Sequence, residues 1–425
     1  MTSIDQGQAF VHLCSDGTGT RIRAIGAVDA ETSWPATARP GEIDARLLDL
    51  VESLDAERIL SWDCRLLAAL LSRPDVTEAA AGTRTRLRDI MAAGLIALPT
   101  LRDYSLPAVA HSLGVASAQT QHVITEPEVG AELCREVSRA LPRRLAEMSV
   151  PALALVRELI AGDADFAWLP WDDISVPPLD AGALDVLMAG RPKVPATRKR
   201  ETVELERPLE ELSGDLLGPE GPVAQVLEGY EQRSGQVEMA EAVAGALRDG
   251  GVLMVEAGTG VGKSLAYLVP AILWSRANAE PVVVSTNTKN LQEQLIDKDL
   301  PLLREALAVP FHSALLKGRS NYVCARRFVS TVRDVLGSMM PEDRKAAAYL
   351  VSWLSESPGC DLDVIPSEAT RVFSGLRRLI DRVRSERALC LGPGCPHARR
   401  CPVRVARALA RNADIVVSNH ALTLA

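Results

Sequence analysis

No apolar run in these 425 residues approaches the roughly 20 residues that a membrane-spanning helix requires. The N-terminus, MTSIDQGQAF, also lacks a basic stretch followed by an apolar one, so the sequence reads as a cytoplasmic chain with no membrane partner. A basic balance is missing too: 47 Lys and Arg stand against 55 Asp and Glu, a formal net charge of −8, so the charge of the whole chain does not advertise a nucleic-acid partner. Internal repeats and low-complexity segments are absent. A disulfide framework is excluded as well, because eight cysteines in a cytosolic chain of this size argue for free thiols, or for metal ligands where they cluster.

What is present is a globular composition, 47% hydrophobic, and enough length for two to three domains with cores of their own. The average charge hides a local asymmetry. From Phe311 to Arg411 there are 18 Lys and Arg against nine Asp and Glu, a region suited to face phosphates.

The most informative stretch is Gly251 to Pro270, GVLMVEAGTGVGKSLAYLVP. The apolar run Val252 to Val255 is expected to be a buried strand, followed by a glycine-rich turn and a helix opened by Lys263 and Ser264. Such a turn lets successive backbone N–H groups converge on phosphate oxygens, and the helix N-terminus adds a favourable dipole. Ala257, Gly258, Thr259, Gly260, Val261, Gly262, Lys263 and Ser264 are therefore the candidate nucleotide loop, with Lys263 reaching the β and γ phosphates and Ser264 a Mg²⁺ ion. Ala257 takes the place of the first glycine in the GxxxxGK[ST] pattern.

About twenty residues upstream, Tyr230, Arg233 and Gln236 precede a helical segment. A glutamine amide both donates to and accepts from adenine, and an aromatic ring stacks on it, so these three form a candidate base-recognition element. Downstream, PVVVSTNTKNLQEQL reads as a buried strand, Val282 to Ser285, then a turn with Thr286 and Thr288, then a helix. Hydroxyls at a strand end suit the phosphates of a nucleic-acid strand, and Thr288 also suits helix N-capping.

Cys324, Cys390, Cys395 and Cys401 are spaced C-x65-C-x4-C-x5-C, with the last three in a Gly- and Pro-rich loop. Four soft thiolates suit either an iron-sulfur cluster or Zn²⁺, and ligand chemistry alone does not choose between them. Cys14, Cys64, Cys134 and Cys360 read as ordinary thiols. The segment RPKVPATRKRETVELERP, Arg191 to Pro208, reads as a linker whose basic run is solvated.

Taken together, Tyr230 to Gln236, EAGTGVGKS, STNTKNLQEQL, KGRSNYVC, the three-cysteine loop and ADIVVSNHALTL resemble the first half of a DinG-like helicase, a bacterial relative of the XPD iron-sulfur helicases. The resemblance runs from about Leu209 to the C-terminus. It implies an ATP-dependent motor that moves 5′ to 3′ on single-stranded or forked DNA, ATP·Mg²⁺ on Lys263 and Ser264, and a [4Fe-4S] cluster on Cys324, Cys390, Cys395 and Cys401. The family's DEAH box is not encoded, nor is the second RecA-like lobe with its arginine finger. The expectation is a chain that binds a nucleotide but cannot complete hydrolysis alone, with a separately encoded C-terminal half as a possible partner. An alternative expectation is a non-enzymatic nucleotide- and DNA-binding regulatory module. Ending at Ala425 is expected to leave the Ile415 to Val417 run or its neighbour as an exposed sheet edge.

Residues 8 to 142 resemble a DnaQ-like 3′-5′ exonuclease, through AFVHLCSDGTGTRIRAIGAV, RILSWDCRLLAALL, LRDYSLPAVAHSLGV and QHVITEPEVGAELCREV. Nucleases of that kind hold two metal ions on four carboxylates with a His as base. Here the first motif keeps only Asp16, the second has Asp63 displaced from the family position near Leu67, and the last has His122 but Pro127 in place of its acid, between Glu126 and Glu128. The expected fold class is α/β. An RNase H-like, catalytically dead exonuclease domain (1–142) leads through a helical segment and linker (143–208) to a RecA-like lobe (209–425) that carries the iron-sulfur insertion at about 311–411.

Overall fold

The computed structural model describes residues 8–15, 22–28, 33–37, 58–62, 86–115, 127–231, 233–258, 260–337 and 340–424. The chain is mixed α/β and divides into two compact units, one of Met1–Arg191 with Ala325–Arg384, the other of Pro192–Cys324 with Ser385–Ala425. The insertion expected over about 311–411 is thus shared between them. No helix among the described residues is long and apolar enough to cross a membrane.

The first unit carries a five-stranded sheet: β1 (Gln8–Ser15), β2 (Ile22–Val28), β3 (Ser33–Thr37), β4 (Arg58–Ser61) and β5 (Leu87–Asp89), in the order β3-β2-β1-β4-β5. β1 runs antiparallel to β2, as the opening hairpin was expected to do, and parallel to β4, which is in turn parallel to β5. The Ile90–Ala97 helix starts where Asp89 accepts a hydrogen bond from the Met91 N–H at 2.8 Å, and all eight of its residues are buried. Asp16, Asp63, Leu67, Glu126 and His122, on which the nuclease reading turned, lie outside the described residues.

The other described elements of this unit are helices, with the Pro341–Glu356 helix at their centre. Nine consecutive residues, Ala346 to Leu354, are buried in it. A helix apolar all round must be covered on every side. Within the unit the Tyr349 hydroxyl donates to the Pro99 carbonyl at 3.1 Å and the Ser352 hydroxyl to Ile96 at 2.5 Å. Arg344 donates to Leu159 at 3.1 Å and Lys345 pairs with Asp165 at 2.7 Å, both partners at or just beyond the end of the Val150–Ile160 helix.

The second unit is built on a parallel sheet of three strands, β6 (Val282–Thr286), β7 (Ser313–Leu315) and β8 (Ile415–Asn419), in the order β6-β8-β7. Ile415 and Val417 of β8 point into a core made with Leu268, Val269 and Ile272 of the Lys263–Asn278 helix and with Leu300 and Leu303. Val416 faces the other way, toward Ala410 and Ala413. The Ile415 to Val417 run is therefore central rather than an edge; among the described residues its two neighbours, β6 and β7, are the edges, and Val283 of β6 is exposed.

Two further expectations change here. Val252 to Val255 is not a strand: it has no ladder partner among the described residues, and Val252 and Met254 are 94% and 91% exposed. Apolar side chains alone do not make a strand, since the backbone needs a neighbour to accept its hydrogen bonds. The linker, in turn, is solvated only in part: Lys193 and Lys199 are exposed, whereas two of its arginines are engaged. Arg198 pairs with the wholly buried Asp414 at 2.6 Å and Arg200 donates to the carbonyls of Arg411 and Ala413 at 2.6 and 2.9 Å. The amides of Asn412 and Arg198 tie the same strap through Ala196 and Asn412 at 2.7 and 3.0 Å. A buried carboxylate must be paired, and these arginines, with the Asp414 bond from the His312 N–H at 2.8 Å, meet that demand.

Candidate nucleotide site and cysteine cluster

The phosphate loop runs into its helix as the glycine pattern requires. Gly260 and Gly262 adopt φ of 82° and 81°, a left-handed conformation that side chains rarely take, and Gly262 is the N-cap of the Lys263–Asn278 helix. A Cβ at Gly262 would also overlap the Gln236 amide. The Lys263 ammonium lies across the loop, donating to the Ala257 and Gly258 carbonyls at 2.8 and 2.6 Å. Its charge therefore stands at the mouth of the turn. Thr259 lies outside the described residues.

The structure brings two of the three upstream residues to the loop. Gln236 is buried, its amide nitrogen donating to the Gly262 carbonyl at 3.0 Å while its oxygen accepts from the Tyr230 hydroxyl at 3.0 Å. The single Tyr230 hydroxyl proton is shared with the nearer Leu217 carbonyl at 2.5 Å, and burial raises the Tyr230 pKa. Expected as base readers, both residues are here a staple that ties the helix Ser234–Asp249 to the phosphate turn. Arg233 stands apart from them, exposed and 3.7 Å from Glu231.

Ser264 has a neighbour that the sequence did not point to. The Asp299 carboxyl group and the Tyr267 hydroxyl lie near enough for Ser264 to lower the pKa of each. Asp299 ends a five-residue π-helical stretch, Leu295–Asp299, inserted between the helices Lys289–Gln294 and Leu300–Ala306. Such wide turns re-aim side chains, often at functional sites. Burial raises the pKa of Asp299, opposed by the nearby Ser264, by the hydrogen bond from Gln294 at 3.3 Å and by the charge of Lys298. The only sequence clue was an acid following the LQEQL segment.

At the carboxyl ends of the parallel strands, where open α/β sheets bind ligands, several polar groups converge. Thr288 caps the helix Lys289–Gln294, accepting from the Leu291 N–H at 3.3 Å, as its spacing allowed. Ser285 of β6 and His420 after β8 are in hydrogen-bond contact at 2.8 Å, and Asn419 caps the short helix His420–Thr423.

Cys324, Cys390, Cys395 and Cys401 are unbridged, with Cys390 exposed and the others half-buried. Burial raises the thiol pKa of Cys401, the N–H groups of Arg404 and Val403 lower it, and the nearby Cys324 and Cys390 raise it again. Cys324 and Cys390 thus lie within electrostatic range of Cys401. They do not reach ligand spacing: among the described residues no group of three or more His, Cys, Asp or Glu is placed to hold a metal ion. The donor chemistry nonetheless fits a soft metal, with four thiols and the N-terminus of the Pro402–Asn412 helix aimed at one of them.

No protein-family model matches the chain. It is 39% identical over 212 residues, half of its length, to the ATP-dependent DNA helicase YoaA of Escherichia coli. It is 41% identical over 208 residues, 46% of its length, to the ATP-dependent helicase DinG of Mycobacterium tuberculosis. A third relative, the 3′-5′ exonuclease DinG of Bacillus subtilis, is 31% identical over 211 residues. The match spans about a third of the length of the two helicases, 32% and 31%, and 21% of the exonuclease. Over about half of its length the chain is thus similar to DinG-like helicases, of whose own length it spans about a third.

Proposed function

We propose that this chain forms the nucleotide-binding lobe of an ATP-dependent DNA helicase that moves 5′ to 3′ on single-stranded DNA. The carrying observation is the left-handed Gly260–Gly262 turn, held from behind by Gln236 and faced by the Lys263 ammonium. Backbone N–H groups of that turn and the helix N-terminus suit the phosphates of ATP, and Lys263 adds charge where the β and γ phosphates would lie. Ser264, with Asp299 beside it, would hold Mg²⁺. DNA phosphates would run along the strand ends at Thr286 and Thr288. The order β6-β8-β7, all parallel, supports a RecA-like lobe, and β3-β2-β1-β4-β5 supports an RNase H-like domain in front of it.

In this reading Cys324, Cys390, Cys395 and Cys401 hold a [4Fe-4S] cluster, which when bound supplies a covalent tie between the two ends of a long insertion. Anaerobically purified protein should be brown; stoichiometric zinc without iron would reject the cluster. The N-terminal domain acts without metal-dependent nuclease chemistry, since only Asp16 and His122 sit near the family's positions and too few ligands remain for two metals.

The test is nucleotide binding, DNA-stimulated ATPase and strand separation by the 425-residue chain, alone and with the remaining helicase sequence supplied in trans. Lys263→Ala should weaken ATP·Mg²⁺ binding by about 10- to 150-fold, the scale of a charge-assisted contact of about 1.5 to 3 kcal/mol. Unwinding by the chain alone would show that its catalytic carboxylates have been misplaced, and unchanged binding by the variant would remove the loop from the site.

A further inference from the structure

Residues 325–384 lie between the first and second of the four clustered cysteines, yet they fold with the N-terminal residues. The attachment is extensive. Besides the bonds from Tyr349, Ser352, Arg344 and Lys345, Arg144 pairs with Glu356, and the buried Arg191 donates to the Leu354 and Ser357 carbonyls and lies 3.3 Å from the Cys360 sulfur. Arg333 pairs with Asp185 at 3.1 Å. Each of these partners comes from residues 96–191.

The two ends of the segment are also closed. Arg327 donates to the Arg384 and Asp381 carbonyls at 2.6 and 3.0 Å, and in the other unit the Ser385 N–H donates to Tyr322 at 2.9 Å. Cys324 sits between Tyr322 and Arg327 in the chain, so whatever holds this closure fixes where the first thiol stands. A free 65-residue spacer would let Cys324 drift from the other three, at an entropic cost of return that grows with the logarithm of its length.

We propose that the N-terminal unit has a function separate from nuclease chemistry: it is the docking platform on which residues 325–384 fold, and it thereby holds Cys324 in register with Cys390, Cys395 and Cys401. The partner of the platform is the Pro341–Glu356 helix of the same chain, seated against Ile96, Pro99 and the Val150–Ile160 helix. An exonuclease-type fold stripped of its acids keeps this task, which needs only its surface. The inference deepens the proposed four-thiolate site and rests on it for its consequence, though not for its geometry.

The test uses the whole 425-residue chain. Glu356→Arg places like charges against Arg144, and adding Arg144→Glu restores an opposite pair. Amide exchange across 341–356 and 150–160, and alkylation rates of the individual thiols, are followed by mass spectrometry. The expected result is faster exchange in both helices and at least about threefold faster alkylation of Cys324 in the single variant, with return toward the parent in the double variant. Lys345→Gln, which removes the pairs to Asp163 and Asp165, should give the same pattern more weakly and serves if Glu356→Arg does not fold. Exchange that rises in 341–356 alone, with Cys324 alkylation unchanged, would overturn the platform. Co²⁺ titration of the parent separates the two readings: no thiolate absorption would remove the four-thiolate site, whereas tight binding left unchanged in the variants would remove the platform's part in it.

Discussion

Two valine-rich runs of the second unit have nearly the same composition and opposite fates. Ile415 to Val417 is 0%, 7% and 0% exposed, while Val252 to Val255 is 94%, 43%, 91% and 44% exposed. The first lies between β6 and β7, with the Lys263–Asn278 helix packed over it; the second has no strand partner among the described residues. Burial of an apolar run is therefore a property of its neighbours as much as of its side chains. The phosphate loop that follows Val255 nonetheless keeps its shape, because the Gln236 staple and the helix it opens hold it from the other side.

The largest effect expected from this contrast comes from placing one charge in each run. Val417→Asp should destabilise the second unit by at least about 3 kcal/mol, the scale of an uncompensated buried charge, whereas Met254→Asp should stay within about 0.5 kcal/mol of the parent. Urea denaturation of both variants measures the difference; equal losses would mean that 252–255 is packed in solution. A smaller effect is expected at the staple. Gln236→Ala leaves the Gly262 carbonyl short of a partner while Tyr230 keeps its bond to Leu217, a cost of about 1 to 3 kcal/mol, and should lower ATP affinity roughly tenfold with little change elsewhere. Isothermal titration decides this, and unchanged affinity would show that the loop is self-supporting.

The smallest effect is a pH slope. Because burial raises the folded-state pKa of Asp299 above its ordinary value of 3.8, the folded state binds this proton more tightly than the unfolded state does. The resulting stability is present below 3.8 and is lost as pH rises through the folded-state value. Asp299→Asn should therefore gain on the parent as pH rises from about 4 to 7, read from denaturation midpoints. A parent that gains on the variant over that range would mean that Asp299 prefers its charged form in the fold.

Legibility followed the distance over which each feature is determined. The loop, its helix, β6 and the Thr288 cap could be read because glycine spacing, apolar runs and capping residues act within a few positions. The hairpin β1–β2 was legible for the same reason. Asp299 was not, because a π-helical turn carries it to Ser264 and no local pattern announces that turn. Nor did the sequence show where 325–384 would pack, although Ala346 to Leu354, apolar all round, called for cover that neighbouring segments did not offer. The linker arginines read as solvated because their partner, Asp414, lies 216 residues beyond Arg198.

That separation has a consequence for synthesis. At roughly 5 to 20 residues per second, roughly 10 to 40 s pass between the emergence of Arg198 and that of the carboxylate it closes on. The Ile96 carbonyl likewise waits for Ser352, 256 residues later. Neither unit is complete when its first residues leave the ribosome, and the Ile90–Ala97 and Val150–Ile160 helices stay short of their cover by the Pro341–Glu356 helix until the glycine turn of the other unit has been made. The nascent chain thus carries exposed apolar surface for most of its synthesis, a period in which chaperone capture competes with folding and in which codon speed before residue 414 would set the yield.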